Sequence, residues 1–376
     1  MRWDLFCAVV DNLGDIGVCW RLARQLAAEH RAEVRLWVDD LTTFRQLAPG
    51  LDVEAPSQKL GEIVVCRWET PFAAIEPADV ADIVVETFGC EVPASYVQAM
   101  KSRTQAPVWI NLEYLSAEQW VGRYHGLPSP QPPLVKYFFF PGFTSDTGGL
   151  LMERGLKQRR AAFQADKTGQ AAFLSGIGLT KPEPGEHLIS LFCYPQAPMA
   201  ALFDALATGM QPTLAIAFAE TPAAQALVAA GLASGGRRGR LRAQIVPFLT
   251  QDDYDRVLWA CDWNFVRGED SFMRAQLAAR PFVWQVYPQQ EENHRIKMQA
   301  FLARYLGASA MGASAGLVDL WTAWNGLIPP ARMAPAWIAS MATMQGISHL
   351  ARLWAESLDA PGDLAGNLAR FCEERV

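Results

Sequence analysis

Two acids set four residues apart, Asp11 and Asp15, stand beside Gly14 and Gly17 in the stretch Asp-Asn-Leu-Gly-Asp-Ile-Gly. Carboxylates in a glycine-containing loop can bind a cation or take a proton from one. The rival chemistry is a dinucleotide fingerprint. Asn12-x-Gly14-x-x-Gly17 mimics Gly-x-Gly-x-x-Gly, and Asp39 or Asp40 lies near where a ribose-binding acid would follow. Against it, Asn12 replaces the tight-turn glycine, and Asp15 would set a carboxylate at the pyrophosphate position, a repulsion on the order of several kcal/mol in a partly dry site. A cationic partner suits the loop better. The bland alternative, in which Asp15 caps a helix and Asp11 a turn, stays open for either acid taken alone.

The second constellation is Arg267-Gly268-Glu269-Asp270-Ser271. Arg267 offers a fixed positive fork, Gly268 permits close backbone approach, and Asp270 or Ser271 opens a helix whose first NH groups favour an anion such as a phosphate. Simple capping by Asp or Ser is the competing reading. Aromatics gather at other strand ends of the same half: Phe192 and Tyr194 close one strand, Phe248 follows another, and Gln251 and Tyr254 start the next helix. A pyrimidine base needs a flat apolar slot with polar groups at its edge, which Phe248 and Gln251 could supply, although any one of these residues is accounted for equally well as core. Asp253-Tyr-Asp255 spells the Asp-x-Asp of metal-dependent sugar transferases, yet on a helix residues two apart point in different directions, so capping is the better account. No other His, Cys or Asp cluster has metal-ligand spacing, and no metal is expected.

These residues need strands that end, and helices that begin, beside them. Trp3 to Val10 is an apolar run of strand formers and Ile16 to Glu29 has helical spacing, so Asp11–Gly17 joins strand to helix. Strand and helix signals then alternate through Glu33–Val38, Leu41–Leu47, Glu62–Arg67, Asp82–Glu86, Val92–Lys101 and Pro107–Leu112, followed by the aromatic run Lys136–Phe140. Gly122–Pro133 reads as a surface loop and Gly155–Phe173 as a polar helix over the edge of the first domain. Gly176–Gly185 is a hinge by its glycines and prolines, after which the alternation restarts at His187. Two βα arrays predict an α/β protein of two Rossmann-like domains facing across a cleft: residues 1–180, to which the helix in 358–376 could return, and residues 186–357.

Composition narrows the class. The 376 residues exceed what one core usually organises, and a net charge of -6 argues against general nucleic-acid binding. Arg237, Arg238, Arg240 and Arg242 form the one basic cluster, read as a solvated loop between strands before a docking patch for an acidic partner. Seven scattered cysteines give no disulfide framework, and no stretch approaches the ~20 apolar residues of a membrane span, so a cytoplasmic protein is expected.

The order of strand, Arg-Gly-Glu-Asp-Ser loop and helix, followed by Tyr287 and the Gln289–Gln290 turn, resembles the sugar-nucleotide half of GT-B glycosyltransferases. Taken with Asp-Asn-Leu-Gly-Asp-Ile-Gly-Val-Cys-Trp-Arg, Asn111-Leu-Glu-Tyr-Leu-Ser-Ala-Glu118 and Phe192-Cys-Tyr194, it resembles over nearly the whole chain the EarP family of protein-arginine rhamnosyltransferases. The resemblance implies a metal-independent, inverting transfer of L-rhamnose from dTDP-β-L-rhamnose to an arginine of translation elongation factor P. It implies a donor pocket of Phe192, Tyr194, Phe248, Gln251, Tyr254, Arg267, Asp270, Ser271 and Tyr287, and an acceptor side with Glu113 and Tyr114. Asp15 would then be the general base, Asp11 a second anion that orients the guanidinium, and Glu269 a third acid acting from across the cleft. A helix N-terminus beside Asp15 would weaken it as a base, since the dipole favours the ionised form. A GT-B enzyme with another acceptor, and a non-catalytic nucleotide-binding partner of the translation machinery, are the alternatives.

Overall fold

The computed structural model describes residues 1–11, 13–287, 293–307 and 315–376. The chain folds into two compact units, one built from Met1–Arg154 with Leu358–Val376 and the other from Gly155–Ser357.

The first unit runs β1 (Arg2–Cys7), α1 (Leu13–His30), β2 (Glu33–Val38), α2 (Leu41–Leu47), β3 (Ser57–Leu60), β4 (Ile63–Arg67), β5 (Ile83–Thr87), α3 (Ala94–Ser102), β6 (Val108–Leu112), α4 (Val121–Tyr124), β7 (Pro128–Gln131) and β8 (Leu134–Phe139). Its sheet has the order β3-β4-β2-β1-β5-β6-β8-β7, parallel except at the two outer hairpins. The central strands Ile-Val-Val-Glu-Thr and Val-Trp-Ile-Asn-Leu are buried along their whole length, as strands covered on both faces must be, which is why they are mostly apolar, with Glu86, Thr87 and Asn111 buried among the rest. β3 and β7 are polar and largely exposed, and each pairs on one side only. They carry no apolar period, and Gly122–Pro133 therefore reads as loop where the structure has a short helix and an edge strand.

The second unit contains α5 (Leu156–Ala165), α6 (Lys167–Gly176), β9 (His187–Leu191), α7 (Met199–Thr208), β10 (Thr213–Phe218), α8 (Pro222–Ala229), β11 (Arg237–Arg238), β12 (Leu241–Val246), α9 (Gln251–Ala260), β13 (Trp263–Arg267), α10 (Asp270–Leu277), β14 (Phe282–Gln285), α11 (Asn293–Gly307), α12 (Ala315–Trp324), α13 (Met333–Ala342) and α14 (Met344–Ser357). The sheet order is β11-β12-β10-β9-β13-β14.

The first boundary differs from the expected one at residue 180. Residues 155–176 form two helices, divided where Asp166 caps the second, and both belong to the second unit. Arg160 donates to the Leu277 carbonyl, Gln164 to those of Trp259 and Ala278, and Leu174 packs in one core with Leu188, Ile216 and Val246. A polar helix sequence is thus fastened through carbonyls at the ends of α9 and α10, a partner invisible in its own composition.

At the other end, α14 stays in the second unit, with the Trp354 indole donating to Gln276. Only α15 (Leu364–Glu373) returns to the first unit. Leu364 N donates to the Leu150 carbonyl, and the Gln25 amide reaches Asp363, the N-cap of α15.

Candidate active site

In a doubly wound sheet, ligands collect beyond the carboxyl ends of the strands where the winding direction reverses. In the first unit β1 lies between β2 and β5, so this point falls at the loops after β1 and β5. Asp11 and Asp15 are there, both buried. One Asp15 oxygen, Oδ2, accepts from the NH groups of Val10 (2.9 Å) and Asp11 (2.8 Å), wrapping the loop around the carboxylate. The other, Oδ1, accepts from the Tyr114 hydroxyl at 3.0 Å. Asp15 thus reaches back into the loop that precedes α1. A Cβ built on Gly14 would lie 2.5 Å from Asp11 Oδ2, so the glycine is what lets the Asp11 carboxylate lie against the first turn.

Burial raises the Asp15 carboxyl above the ordinary carboxylate range, with Asp39 adding to the rise and the bonds from Asp11, Val10 and Tyr114 opposing it. The direction is opposite to the weaker base expected from a helix start: loss of solvent outweighs the hydrogen bonds that favour the ionised form. The acids that could have supported a dinucleotide reading are used locally. Asp39 accepts from Val9 N, and Asp40 caps α2 through Thr42 and Thr43.

Tyr114 follows β6, and its ring stacks on Phe88 at 4.3 Å between centroids with 11° between planes. Phe88 has φ 56°, in the left-handed region that bulky residues rarely adopt, and its NH donates to the Leu112 carbonyl. Glu113 sits beside Tyr114, accepting from Asn111 Nδ2 at 2.7 Å. Nothing in the sequence marks Phe88, because a positive φ on a phenylalanine has no compositional signal.

In the second unit β9 lies between β10 and β13, and the corresponding loops hold Phe192–Tyr194 and Gly268–Ser271. Gly268, at φ 60°, turns the end of β13 into α10. The Arg267 guanidinium lies over both the Phe192 ring (4.7 Å) and the Tyr194 ring (4.6 Å). Tyr194 packs edge-on against Tyr287, and Phe192 meets Tyr254 at a tilt. Phe248 packs on the same core cluster as Phe192 and Tyr254. Gln251 Nε2 donates to Asp270 Oδ2 at 3.1 Å. The nine residues expected around a donor therefore fall into one connected group.

Within that group some roles differ from the simplest reading. Neither Asp270 nor Ser271 is the N-cap of α10; that position is Glu269, half-buried, which makes no side-chain cap bond. The Ser271 hydroxyl accepts from Arg267 N and donates to the Arg267 carbonyl, closing the turn between strand and helix. Burial holds the Tyr254 phenol well above its usual range. Two polar contacts escaped sequence reasoning: Gln285 Oε1 accepts from Tyr194 N, and the Trp284 indole donates to the Gly268 carbonyl. A polar residue ending an apolar strand was the available signal for Gln285. The Gln289–Gln290 turn lies outside the described residues.

Asp253 and Asp255 diverge as expected. Asp253 meets Thr250, which is the actual cap of α9, and Arg256; Asp255 forms a buried ion pair with Arg274 at 2.5 Å. The basic cluster is largely matched within its own unit, Arg237 to Glu183, Arg238 to Asp204 and Arg242 to Glu186. Among the described residues, Glu29, His30 and Asp363 bring potential ligand atoms within 4.8 Å of one another. Their carboxylate oxygens already accept from Arg154 N, the Gln25 amide and Gly366 N, so the group works as the fastening of α15. No described helix is long and apolar enough to cross a membrane.

Paired Rossmann-type units, each with its candidate residues at the switch point of its sheet, are the architecture of GT-B glycosyltransferases, and the chain has the fold of that class. MurG of Acinetobacter baumannii shares it at 12% identity and a TM-score of 0.54 over the whole of both chains. The spinosyn rhamnosyltransferase SpnG shares it at 11% identity and 0.52, covering 99% of this chain and all of that one. The family model of the Elongation-Factor P (EF-P) rhamnosyltransferase EarP matches residues 3–373, and the chain belongs to this family. It is 47% identical to a protein-arginine rhamnosyltransferase of Pseudomonas putida and 45% identical to one of Pseudomonas aeruginosa, covering 98% of each chain in both cases. A structure solved for EarP-mediated arginine glycosylation of translation elongation factor EF-P aligns at 36% identity and a TM-score of 0.69, covering 100% of this chain and 99% of that one. The expected fold class and family are borne out.

Proposed function

We propose that this protein-arginine rhamnosyltransferase takes L-rhamnose from dTDP-β-L-rhamnose and joins it, with inversion, to an arginine of translation elongation factor P. Family membership supports the reaction and its protein substrate. The choice of donor rests on the chemistry of the second unit. Phe248 and Gln251 supply an apolar face and an amide for a pyrimidine, while Arg267 and the start of α10 supply positive charge for a diphosphate.

A guanidinium, with a pKa above ~12, is protonated and a poor nucleophile at neutral pH. Asp15 takes a proton from it as the nitrogen attacks the anomeric carbon and the bond from that carbon to the diphosphate oxygen breaks. Asp11 binds the guanidinium as a second anion and fixes the attacking nitrogen, Glu269 holds substrate groups, and Arg267 with the α10 NH groups takes up the charge of departing dTDP. Asp39 and Asp40, held in their own loops, play no part. No metal ion is needed in this scheme.

The observation that carries the reading is the Asp15 carboxylate itself. Its Oδ2 is saturated by two backbone NH groups, while Oδ1 accepts from Tyr114 alone among the described residues and keeps one lone pair for an incoming proton. Asp15→Asn is expected to retain dTDP-rhamnose binding by calorimetry while deoxyhexose transfer to elongation factor P, followed by mass, falls by ~100-fold or more. Loss of donor binding, with transfer impaired only through it, would move Asp15 to the other substrate.

A further inference from the structure

We infer that Tyr114 is a positioning residue for this reaction, aiming Oδ1 of Asp15 through its hydroxyl, with Phe88 as the platform that fixes its ring. This rests on the reading of Asp15 as the base. The sequence resemblance put Tyr114 among the acceptor contacts, but in the fold its hydroxyl is directed at the carboxylate, 3.0 Å from Oδ1. A carboxylate anchored through Oδ2 alone can still pivot about that oxygen. A third donor on Oδ1 removes the pivot and decides which lone pair is left to face a substrate.

The ring carrying that hydroxyl is itself fixed. It stacks nearly parallel on Phe88, and Phe88 is held in a left-handed conformation directly after β5, with its NH on the last residue of β6. A tyrosine needed only to fill space would not require a strained neighbour or a carboxylate partner. Around the Asp15 carboxylate, the Tyr114 hydroxyl donates at hydrogen-bond range and Asp39 acts through its charge, while Asp11 meets it through its backbone NH and the charge of Asp15 in turn helps to keep the buried Cys7 thiol protonated. Of the side chains among these, Tyr114 alone donates a hydrogen bond to the carboxylate. It holds the charged form, so its removal raises the Asp15 carboxyl further.

The test is Tyr114→Phe, which keeps the stack and deletes the hydroxyl, compared with wild type and Asp15→Asn in a transfer assay over a pH series. The expected result is a kcat lower by about 10-fold, a KM for elongation factor P within about twofold, and an acid limb of the kcat profile displaced to higher pH. Phe88→Leu, which keeps the hydroxyl and removes its platform, should move kcat and the acid limb in the same direction by less, and it serves if Tyr114→Phe does not fold. A raised KM with kcat and acid limb unchanged would return Tyr114 to acceptor binding and overturn the inference. A lower melting temperature with unchanged kinetics of the folded enzyme would overturn it as well. Retained turnover in Asp15→Asn would instead overturn the assignment of the base, whatever Tyr114→Phe did.

Discussion

Gly14→Ala isolates the placement of Asp11 from the stability of its surroundings. Gly14 lies in the first turn of α1 and is absent from the positive-φ positions, so an alanine has no backbone objection to the site. Replacing a helical glycine by alanine ordinarily stabilises by about 1 kcal/mol. Here the added carbon would lie 2.5 Å from Asp11 Oδ2 and 3.1 Å from its Cγ, against an ordinary contact beginning near 3.4 Å. The carboxylate has to swing away by about 1 Å, and a misplacement of that size at a reacting centre costs about 100-fold in rate. The clash is with a side chain, which can rotate, so it cancels the helix gain without unfolding the loop. The expected protein therefore melts within a few degrees of wild type, binds dTDP with unchanged affinity, and transfers rhamnose about 100-fold more slowly. Calorimetry with dTDP, thermal melting and the mass-shift assay on elongation factor P read the three quantities. Wild-type kcat in Gly14→Ala would refute the reasoning, since it would mean that the position of Asp11 does not matter to the reaction.

Four further outcomes follow from the same geometry. Asp15 must be ionised to accept a proton, and burial raises its carboxyl, so kcat should fall on acidification at a pH above that of an ordinary aspartate; a profile flat down to the usual carboxylate range would contradict this. If Arg267 contacts the diphosphate as proposed, Arg267→Ala removes a charge-assisted contact worth ~1.5–3 kcal/mol, so dTDP should bind roughly 10- to 100-fold more weakly by calorimetry. Asp255→Ala breaks the buried ion pair with Arg274 and should lower stability to denaturant by up to ~3–5 kcal/mol, whereas Asp253→Ala, on a half-exposed pair, should change it by under ~1 kcal/mol. Transfer should be unchanged by a chelator and by Asp253→Ala alike, and a metal requirement abolished by that substitution would return the Asp-x-Asp motif to the active site.

Much of the scaffold can be read along the chain because its central strands are covered on both faces. Val108–Leu112 and Thr213–Phe218 are buried end to end and apolar except at Asn111 and Thr213, and that demand is local in sequence. The one-sided edge strands β3, β7 and β11 face no such demand and leave no pattern to read. The division at Gly155 is likewise absent from the composition, since the hinge-like Gly176–Gly185 looks the better boundary until Arg160 and Gln164 are seen capping helix ends of the second unit.

The same distinction runs through the candidate site. The sequence by itself determined which acids, which arginine and which aromatics are available, and that they fall at strand ends, because strand-loop-helix order is written in residue type. Only the tertiary structure decided what each one does to its neighbour. It turned the Ser271 hydroxyl onto the Arg267 backbone, set Arg267 over two aromatic faces, and brought Tyr114 to Asp15 from the far side of β5. Above all it reversed the expected basicity of Asp15. A helix dipole can be inferred from a helix start, but loss of solvent depends on every element packed around the carboxylate, and that sum exists only in the fold.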